Sequence, residues 1–347
     1  MNANGGGEAV HPPLPLFLAP MAGVTNTVFR RICKEMGADV MTSEFVSAEG
    51  ILHRNPRTAG YVEFSEIERP LGIQLFGGDP DRLAEAASAV IEWVRPDFLD
   101  LNFGCPVNKV VSKNGGSSLL RDCPLLGRVA SAVVQAAGPV PVSAKIRIGW
   151  DRNSINATQT ARVLEDSGVF RITVHGRTKE QGYSGEADWD VIGSVVQAVR
   201  IPVIGNGDIQ NAADAIRRQG EAGVAGLMIG RAAMAGPWVF DEIRAAREGR
   251  PFRAPDAEAR WQLIRRHCAG EIAWRGDESS AMKAMRSRLM AYTRGMPGGP
   301  RLRERLARVA SLAELEDIAS AHLAGQGVLP SLSATMPAAI FSASLFR

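Results

Sequence analysis

Short apolar runs alternate, along the first two thirds of the chain, with longer segments whose apolar residues recur every three or four positions. The short runs end at Gly or Pro, which is typical of buried strands. The longer segments, such as 81–94 and 211–220, have the periodicity of helices that pack on one face. We therefore predict eight strands, at 16–23, 38–46, 70–77, 98–106, 140–150, 170–178, 201–209 and 226–234.

This alternation also predicts the fold class. Strands that alternate with helices pair in parallel, and eight such units within about 240 residues indicate a closed α/β barrel, the (β/α)8 or TIM barrel. The alternative is an open, doubly wound sheet that binds a dinucleotide. It is disfavoured because no G-x-G-x-x-G motif follows the first strand.

The strand pattern stops after Pro237, and helical periodicity continues alone. Three segments, 259–276, 279–295 and 301–323, read as successive helices, with Pro and Gly residues at 297–300 between the last two. We predict a small all-helical C-terminal domain at 246–323 after a barrel at 15–245. Residues 1–14 are expected to form a disordered leader and residues 324–347 a flexible tail.

Composition narrows the class of protein. No apolar run approaches the roughly 20 residues of a membrane span, and the N-terminus lacks the basic and apolar regions of a signal peptide. The four cysteines show neither a disulfide framework nor zinc-ligand spacing. We expect a cytoplasmic monomer that binds neither a membrane nor a metal.

Charge is distributed unevenly. Residues 260–308 contain twelve Arg and Lys against four acidic residues, a local net charge of +8. Because the whole chain carries +3, the remainder carries −5. A basic helical domain beside a mildly acidic barrel is typical of a protein that holds a nucleic acid by its phosphates, although a solvated helix face could have the same composition.

Polar residues stand where the predicted strands end, which is the face of a barrel that carries the active site. Cys105 lies between Gly104 and Pro106, at an opening loop rather than inside an apolar pattern. The turns after strands seven and eight, GNGD and IGR, resemble a phosphate site, with Arg231 as its charged clamp. No Walker P-loop is present in the sequence, so nucleoside triphosphate hydrolysis is not inferred.

Lys145 and His175 lie in otherwise apolar strands, where an unpartnered charge is costly. Each could be a satisfied structural residue. An anionic, electron-rich ring system bound beside them would give both a function.

These segments together resemble the tRNA-dihydrouridine synthases, most nearly the bacterial B-type subfamily. The likeness runs in order from about residue 16 to 240 and continues more loosely to about 323. The segments that carry it are APMAGVTN, IQLFG, LDLNFGCPVNKV, SAKIRIGW, TVHGRTKEQGYSG, PVIGNGDI and LMIGRAAMAGPWVF.

The resemblance implies an FMN-binding barrel and a helical tRNA-binding domain. It implies an enzyme that uses NADPH to reduce uridine in tRNA to 5,6-dihydrouridine. Matched positions imply that Cys105 is the general acid. Asn102, close by on the same strand, is expected to hydrogen-bond the uracil edge. The implied FMN contacts are Pro20, Met21, Ala22, Gln74, Lys145, His175, Asn206, Gly207, Asp208, Gly230 and Arg231. Phosphates of the tRNA are assigned to Lys283, Arg286 and Arg288.

The chemistry is consistent with this assignment. Reduction of the C5=C6 bond takes a hydride from the flavin N5 to C6 and a proton to C5. A cysteine thiol, with an ordinary pKa of about 8.5, is protonated at neutral pH and can supply that proton. We expect the loop at 107–116 to close over the base, which must first be turned out of the folded tRNA.

Three alternatives stay open. An FMN-dependent reductase or dehydrogenase of a free pyrimidine or of dihydroorotate would use the same barrel but has no need of a basic helical domain. A non-catalytic RNA-binding protein would have no need of Cys105, Lys145 and His175 together. A non-flavin barrel dehydrogenase with a cysteine thioester would need a tightly bound nicotinamide nucleotide.

Overall fold

The computed structural model describes residues 14–107 and 115–325. The leader, the loop at 107–116 and the tail expected from the sequence lie, except for their edges, outside the described residues. The chain divides into two compact units, and the boundary along the sequence lies between Ala254 and Pro255. The boundary expected between residues 245 and 246 falls near the end of a helix, Val239–Arg247.

The first unit is a parallel barrel, as the sequence predicts. Its strands are hydrogen-bonded in the order β1-β9-β8-β7-β6-β5-β4-β2, with β3 also paired to β4. A parallel bridge between Phe17 and Val40 joins the two ends of this order. The strands are β1 Leu16–Leu18, β2 Met41–Thr42, β3 Val46–Ser47, β4 Leu71–Phe76, β5 Phe98–Phe103, β6 Val142–Arg147, β7 Arg171–His175, β8 Val203–Asn206 and β9 Gly226–Ile229.

The single strand predicted at 38–46 is wrong in one respect, since the structure has two short strands there, β2 and β3. The reason lies at Ser43. Its side-chain Oγ accepts a hydrogen bond from the backbone N–H of Gln74 at 3.0 Å. A side chain thus takes a place in the ladder that a backbone carbonyl would otherwise fill, and the strand is interrupted.

Helices surround the barrel, and side-chain caps fix where several begin. Asp79, Asp122 and Asp188 each accept a hydrogen bond from a backbone N–H in the first turn of the helix that follows. The helices of this unit are α1 Thr27–Glu35, α2 Ala48–Leu52, α3 Pro56–Val62, α4 Pro80–Val94, α5 Cys123–Ala137, α6 Ala157–Asp166, α7 Trp189–Ala198, α8 Ala212–Ala222, α9 Arg231–Ala235 and α10 Val239–Arg247.

Alternation along each strand separates two apolar layers. On β5, Leu99 and Leu101 belong to the core between sheet and helices. Phe98 faces the barrel interior, where it packs with Phe17, Ile204 and Met228. These large side chains fill the interior at the amino ends of the strands, which leaves the carboxyl ends to polar residues.

The second unit is helical. Its helices are α11 Ala257–Arg275, α12 Glu278–Tyr292, α13 Gly299–Leu306 and α14 Leu312–Ala324. Their core includes Trp261, Met285, Leu289 and Leu315, all fully buried. Among the described residues no helix has the length and apolar character needed to cross a membrane.

The sequence predicts one helix over 301–323, and this is wrong, because the structure has α13 and α14 there. Ser311 ends the continuity, since its Oγ accepts the backbone N–H of Glu314 at 3.2 Å. The Glu314 carboxylate in turn accepts the backbone N–H of Ala310 at 2.8 Å. These two bonds, which resemble a capping box shifted by one residue, start a new helix.

The packing of the barrel interior requires a glycine at position 72, where the ring of Phe98 lies against β4. A Cβ at Gly72 would lie 2.1 Å from Cε2 of Phe98. We expect Gly72→Ala to lower the free energy of unfolding by about 1–3 kcal/mol, because the ring must move. Gly220→Ala is the control, since nothing lies within 4 Å of its Cβ position on α8, and it should stabilise by about 0.5–1 kcal/mol. Thermal melting measures the stability of both variants. Equal melting temperatures for Gly72→Ala and Gly220→Ala would contradict the close packing of Phe98 on Gly72.

Candidate active site

The carboxyl ends of the strands bring most of the residues selected from the sequence to one mouth of the barrel. Gln74 lies on β4, Asn102 on β5 and Lys145 on β6. His175 ends β7 and Asn206 ends β8. The others lie in the turns or helix starts that follow the strands: Pro20, Met21, Ala22, Cys105, Gly207, Asp208, Gly230 and Arg231.

A series of hydrogen bonds from Thr25 and Arg30 holds the turn at 20–22 in place. The Met21 carbonyl accepts the backbone N–H of Thr25 at 3.0 Å. The Thr25 carbonyl accepts from Nη1 of Arg30 at 2.7 Å. Nε of Arg30 pairs with Glu68 at 2.5 Å, and both side chains are buried. Because such a buried pair leaves an uncompensated charge when one partner is lost, it fixes the turn firmly.

Cys105 follows β5 and is buried, with 7% of its surface exposed. Its backbone N–H donates to Oδ1 of Asn102 at 2.9 Å, and its carbonyl accepts from Oγ of Ser117 at 2.8 Å. Burial raises the pKa of the Cys105 thiol, although the positive charges of Arg147 and Lys145 oppose the shift. At neutral pH the side chain is therefore a protonated thiol on a backbone held from both sides.

A chain of side-chain hydrogen bonds runs inside the barrel to this cysteine. Ser143 and Gln74 each donate to the Asp100 carboxylate at 2.6 Å. Nδ2 of Asn102 donates to Oε1 of Gln74 at 2.8 Å. Oδ1 of Asn102 then accepts the backbone N–H of Cys105. Burial raises the pKa of Asp100, and its hydrogen bonds with Ser143 and Gln74 oppose the rise.

Lys145 is a cation on a half-buried side chain that forms no ion pair among the described residues. Nζ donates to Oδ1 of Asn206 at 3.1 Å, and the Asn206 amide donates to the Met228 carbonyl at 2.7 Å. Burial, and secondarily the charge of Arg147, lowers the pKa of Lys145 to about 8. No carboxylate among the described residues forms an ion pair with it. The site therefore carries uncompensated positive charge, which a bound anion can offset.

His175 is neutral. It is 7% exposed, and burial lowers its pKa well below the ordinary value, helped by the positive charges of Lys145, Arg147 and Arg177. Nη1 of Arg177 lies 3.5 Å from Nε2 of His175. A neutral imidazole at this place can offer a hydrogen bond without adding to the positive potential.

Asp208 organises two arginines. Its carboxylate pairs with Nη2 of Arg177 at 2.7 Å and with Nη2 of Arg231 at 2.8 Å, and it accepts the backbone N–H of Ala187 at 2.7 Å. Its backbone is left-handed, with φ of 51°, just after Gly207 with φ of 133°. This sharp turn points the carboxylate at Arg177 and Arg231, so both guanidinium groups are fixed.

The structure adds residues that sequence reasoning did not place in the site. Arg147 donates from Nε to the Gly104 carbonyl at 3.0 Å, beside Cys105, and from Nη1 to the Thr178 carbonyl at 2.6 Å. Tyr183 is 61% exposed, and the guanidinium of Arg231 lies 4.9 Å from its ring centre. Asp100 could have been found from strand alternation, because it shares the inward face of β5 with Asn102.

The three basic residues chosen in the helical unit have different surroundings. Lys283 is exposed. Arg286 is half-buried and donates to the carbonyls of Val309 and Arg308 at 3.0 and 2.9 Å. Assigning Arg288 to tRNA phosphates is wrong, because its side chain is 2% exposed and lies 4.0 Å from the buried carboxylate of Glu271. Its helix position was known from the sequence, but the face it occupies was not.

Comparison with known proteins gives one consistent family. The model of the dihydrouridine synthase family matches residues 17–325. A Pseudomonas putida protein named tRNA-dihydrouridine synthase B is 40% identical over 292 residues, which cover 84% of this chain and 86% of that protein. A Mycobacterium tuberculosis protein named probable tRNA-dihydrouridine synthase is 37% identical over 313 residues, 87% and 80% of the two chains. A Pseudomonas aeruginosa protein named tRNA-dihydrouridine synthase B is 37% identical over 298 residues, 86% and 89%.

The pKa of Cys105 has a measurable consequence. The thiolate is the form that alkylating reagents attack, and the raised pKa keeps the thiolate fraction small at neutral pH. We expect the rate of iodoacetamide modification of Cys105, followed by peptide mass spectrometry, to keep rising with pH above 9. At pH 7 it should be at least about tenfold below the rate in urea-unfolded protein. A rate that levels off near pH 7 would contradict the protonated thiol.

Proposed function

Because the chain belongs to the dihydrouridine synthase family, we propose that it is an FMN-dependent tRNA-dihydrouridine synthase that uses NADPH as its electron donor. The family and its B-type branch agree with the resemblance seen in the sequence. The observation that carries the proposal is the pairing, at one barrel mouth, of a buried protonated thiol at Cys105 with a half-buried Lys145 that has no ion-pair partner among the described residues. The Cys105 thiol can give a proton, and the positive charge of Lys145 favours a bound anion.

The residues present fit the isoalloxazine of FMN. An electron-rich ring that carries negative charge when reduced would provide the charge missing beside Lys145. The amide of Gln74, fully buried and bonded to Asp100 and Asn102, is assigned by the resemblance to the ring edge. The turn at 20–22 provides backbone groups held in place by Arg30. His175, neutral and buried, borders the same space.

The phosphate of FMN is assigned to the turns after β8 and β9. Gly207 and Gly230 lack side chains that would keep an anion away from the backbone. Arg231 is half-exposed and supplies a guanidinium to the phosphate. The Asp208 carboxylate cannot attract a phosphate, so its contribution is to orient Arg231 through their ion pair.

The reaction adds two hydrogens across C5=C6 of the uracil ring. When bound and reduced by NADPH, the flavin would supply the hydride that reaches C6. Cys105 gives its proton to C5 and becomes a thiolate, which regains a proton from solvent. The positive charges of Lys145 and Arg147 stabilise the negative charge that builds on C5 and its neighbouring carbonyl. The net change is uridine, NADPH and a proton converted to dihydrouridine and NADP⁺.

The substrate is assigned to a base within tRNA. Asn102 lies three residues before the acid and is assigned to the uracil edge, in addition to its bond to Cys105. The base must leave its stack to reach a buried thiol at the barrel mouth. The helical unit, with its basic composition, is assigned to the RNA backbone, with Lys283 and Arg286 as the candidate phosphate contacts.

Replacing the acid tests this role. We expect Cys105→Ala to bind FMN with unchanged affinity and to be reduced by NADPH at the normal rate. Reoxidation of the reduced protein by tRNA, measured in a single turnover, should slow by about 10²–10⁴-fold, the usual contribution of a positioned acid. Cys33→Ala is the matched control, because Cys33 is a buried thiol on α1. Normal reoxidation by Cys105→Ala would assign the proton to another group.

The unpaired lysine predicts a pH dependence of FMN binding. Lys145 has a pKa of about 8 in the free protein, and a nearby anion raises it. Only the protonated form attracts FMN, so affinity should be level from pH 7 to 8 and then fall by up to about tenfold per pH unit. Lys145→Gln should bind FMN more weakly at pH 7 and show no such fall. Fluorescence titration of the apoprotein with FMN measures both. A wild-type affinity that is level up to pH 10 would contradict this role.

A further inference from the structure

We propose that Asp100 is a positioning residue, which sets the direction of the hydrogen-bonded chain through Gln74 and Asn102 and thereby holds the backbone of Cys105. The chain described above is buried at every member, with Asp100 4%, Gln74 0% and Asn102 7% exposed. Its relevance to turnover rests on the proposed role of Cys105 as the acid.

The direction of this chain follows from its two fixed ends. The backbone N–H groups of Gly104 and Cys105 can only donate, so Asn102 must turn its oxygen toward them, at 3.2 and 2.9 Å. The amide nitrogen of Asn102 then faces Gln74, which must present its oxygen. The amide nitrogen of Gln74 is left facing residue 100, which must accept.

A carboxylate satisfies this requirement without ambiguity. Oδ2 of Asp100 accepts from Gln74 and Oδ1 accepts from Ser143, both at 2.6 Å. The Asp100 oxygen that faces Gln74 accepts, so this end of the chain requires the same orientation of the Gln74 amide as the Gly104 and Cys105 N–H groups require at the other end. Asp100 and these two N–H groups together determine which atoms of Gln74 face the proposed flavin position.

We expect the effect of a new carboxylate at position 102 to be compensated when the carboxylate at position 100 is removed. Asn102→Asp keeps an acceptor for the Cys105 N–H but leaves Gln74 between two carboxylates, where its oxygen must face one of them. Adding Asp100→Asn relieves this conflict. The Asn side chain donates to the Gln74 oxygen, Gln74 turns and donates to Asp at 102, and every group is again paired.

The test is a double-substitution cycle read at Cys105 in protein free of RNA. Asp100→Asn alone should change the rate of Cys105 alkylation little, because the Ser143 hydroxyl can accept from the new amide. Rates are compared per thiolate, from the pH dependence of alkylation, because a carboxylate at 102 also raises the pKa of the thiol. On this scale Asn102→Asp should raise the rate by about tenfold, and the double variant should return it to within about threefold of wild type, a coupling typical of one hydrogen-bonded network. The flavin spectrum of the double variant should still differ from wild type, because Gln74 is reversed.

Two results would overturn the proposal. If the double variant is alkylated as fast as Asn102→Asp, Asp100 does not set the direction; if Asn102→Asp is alkylated like wild type, the chain does not hold the loop. Should Asn102→Asp fail to fold, Gln74→Glu with and without Asp100→Asn tests the same rescue, since Glu at 74 accepts from both amides. Alkylation needs no substrate, so a wild-type protein inactive on tRNA would refute the proposed function and leave this measurement valid.

Discussion

The site depends on one geometric constraint, the common direction of the barrel strands. The strands pair in parallel, and the bridge from Phe17 to Val40 joins the ends of the sheet, so their carboxyl ends open at one mouth. Aromatic and aliphatic side chains fill the interior at the other end, where Phe98 crosses Gly72. Polar side chains from strands distant in sequence therefore meet at the mouth, in surroundings poor in water.

Low dielectric then makes every charge at the mouth consequential. Asp208 pairs with both Arg177 and Arg231, whereas the described residues provide no carboxylate pair for Lys145 or Arg147. The same burial that lowers the pKa of Lys145 to about 8 raises that of Cys105. A thiol that stays protonated and a lysine that seeks an anion are thus two results of one environment, and both suit a flavin-dependent reduction.

The sequence predicted the barrel, seven of the eight strand positions as single strands, and the family, because strand periodicity and strand-end residues are local signals. What it missed depends on side-chain hydrogen bonds and on which helix face is buried. Ser43 splits a strand by bonding to Gln74, and Ser311 divides a helix through a local cap. Arg288 is buried beside Glu271. Polar residues are spread almost evenly around its helix, so the periodicity of the sequence did not indicate which face is buried. Strand alternation could have placed Asp100 on the inward face of β5, but not the partners of its hydrogen bonds.

The central claim, that this mouth transfers hydrogen from a flavin to a base in tRNA, is tested most directly by a visible spectrum under anaerobic conditions. The purified protein should be yellow, lose its colour with NADPH, and recover it on addition of unmodified tRNA and not of free uridine. Recovery with free uridine at a comparable rate would indicate a small-molecule reductase. A colourless protein that takes up no FMN would contradict the account altogether.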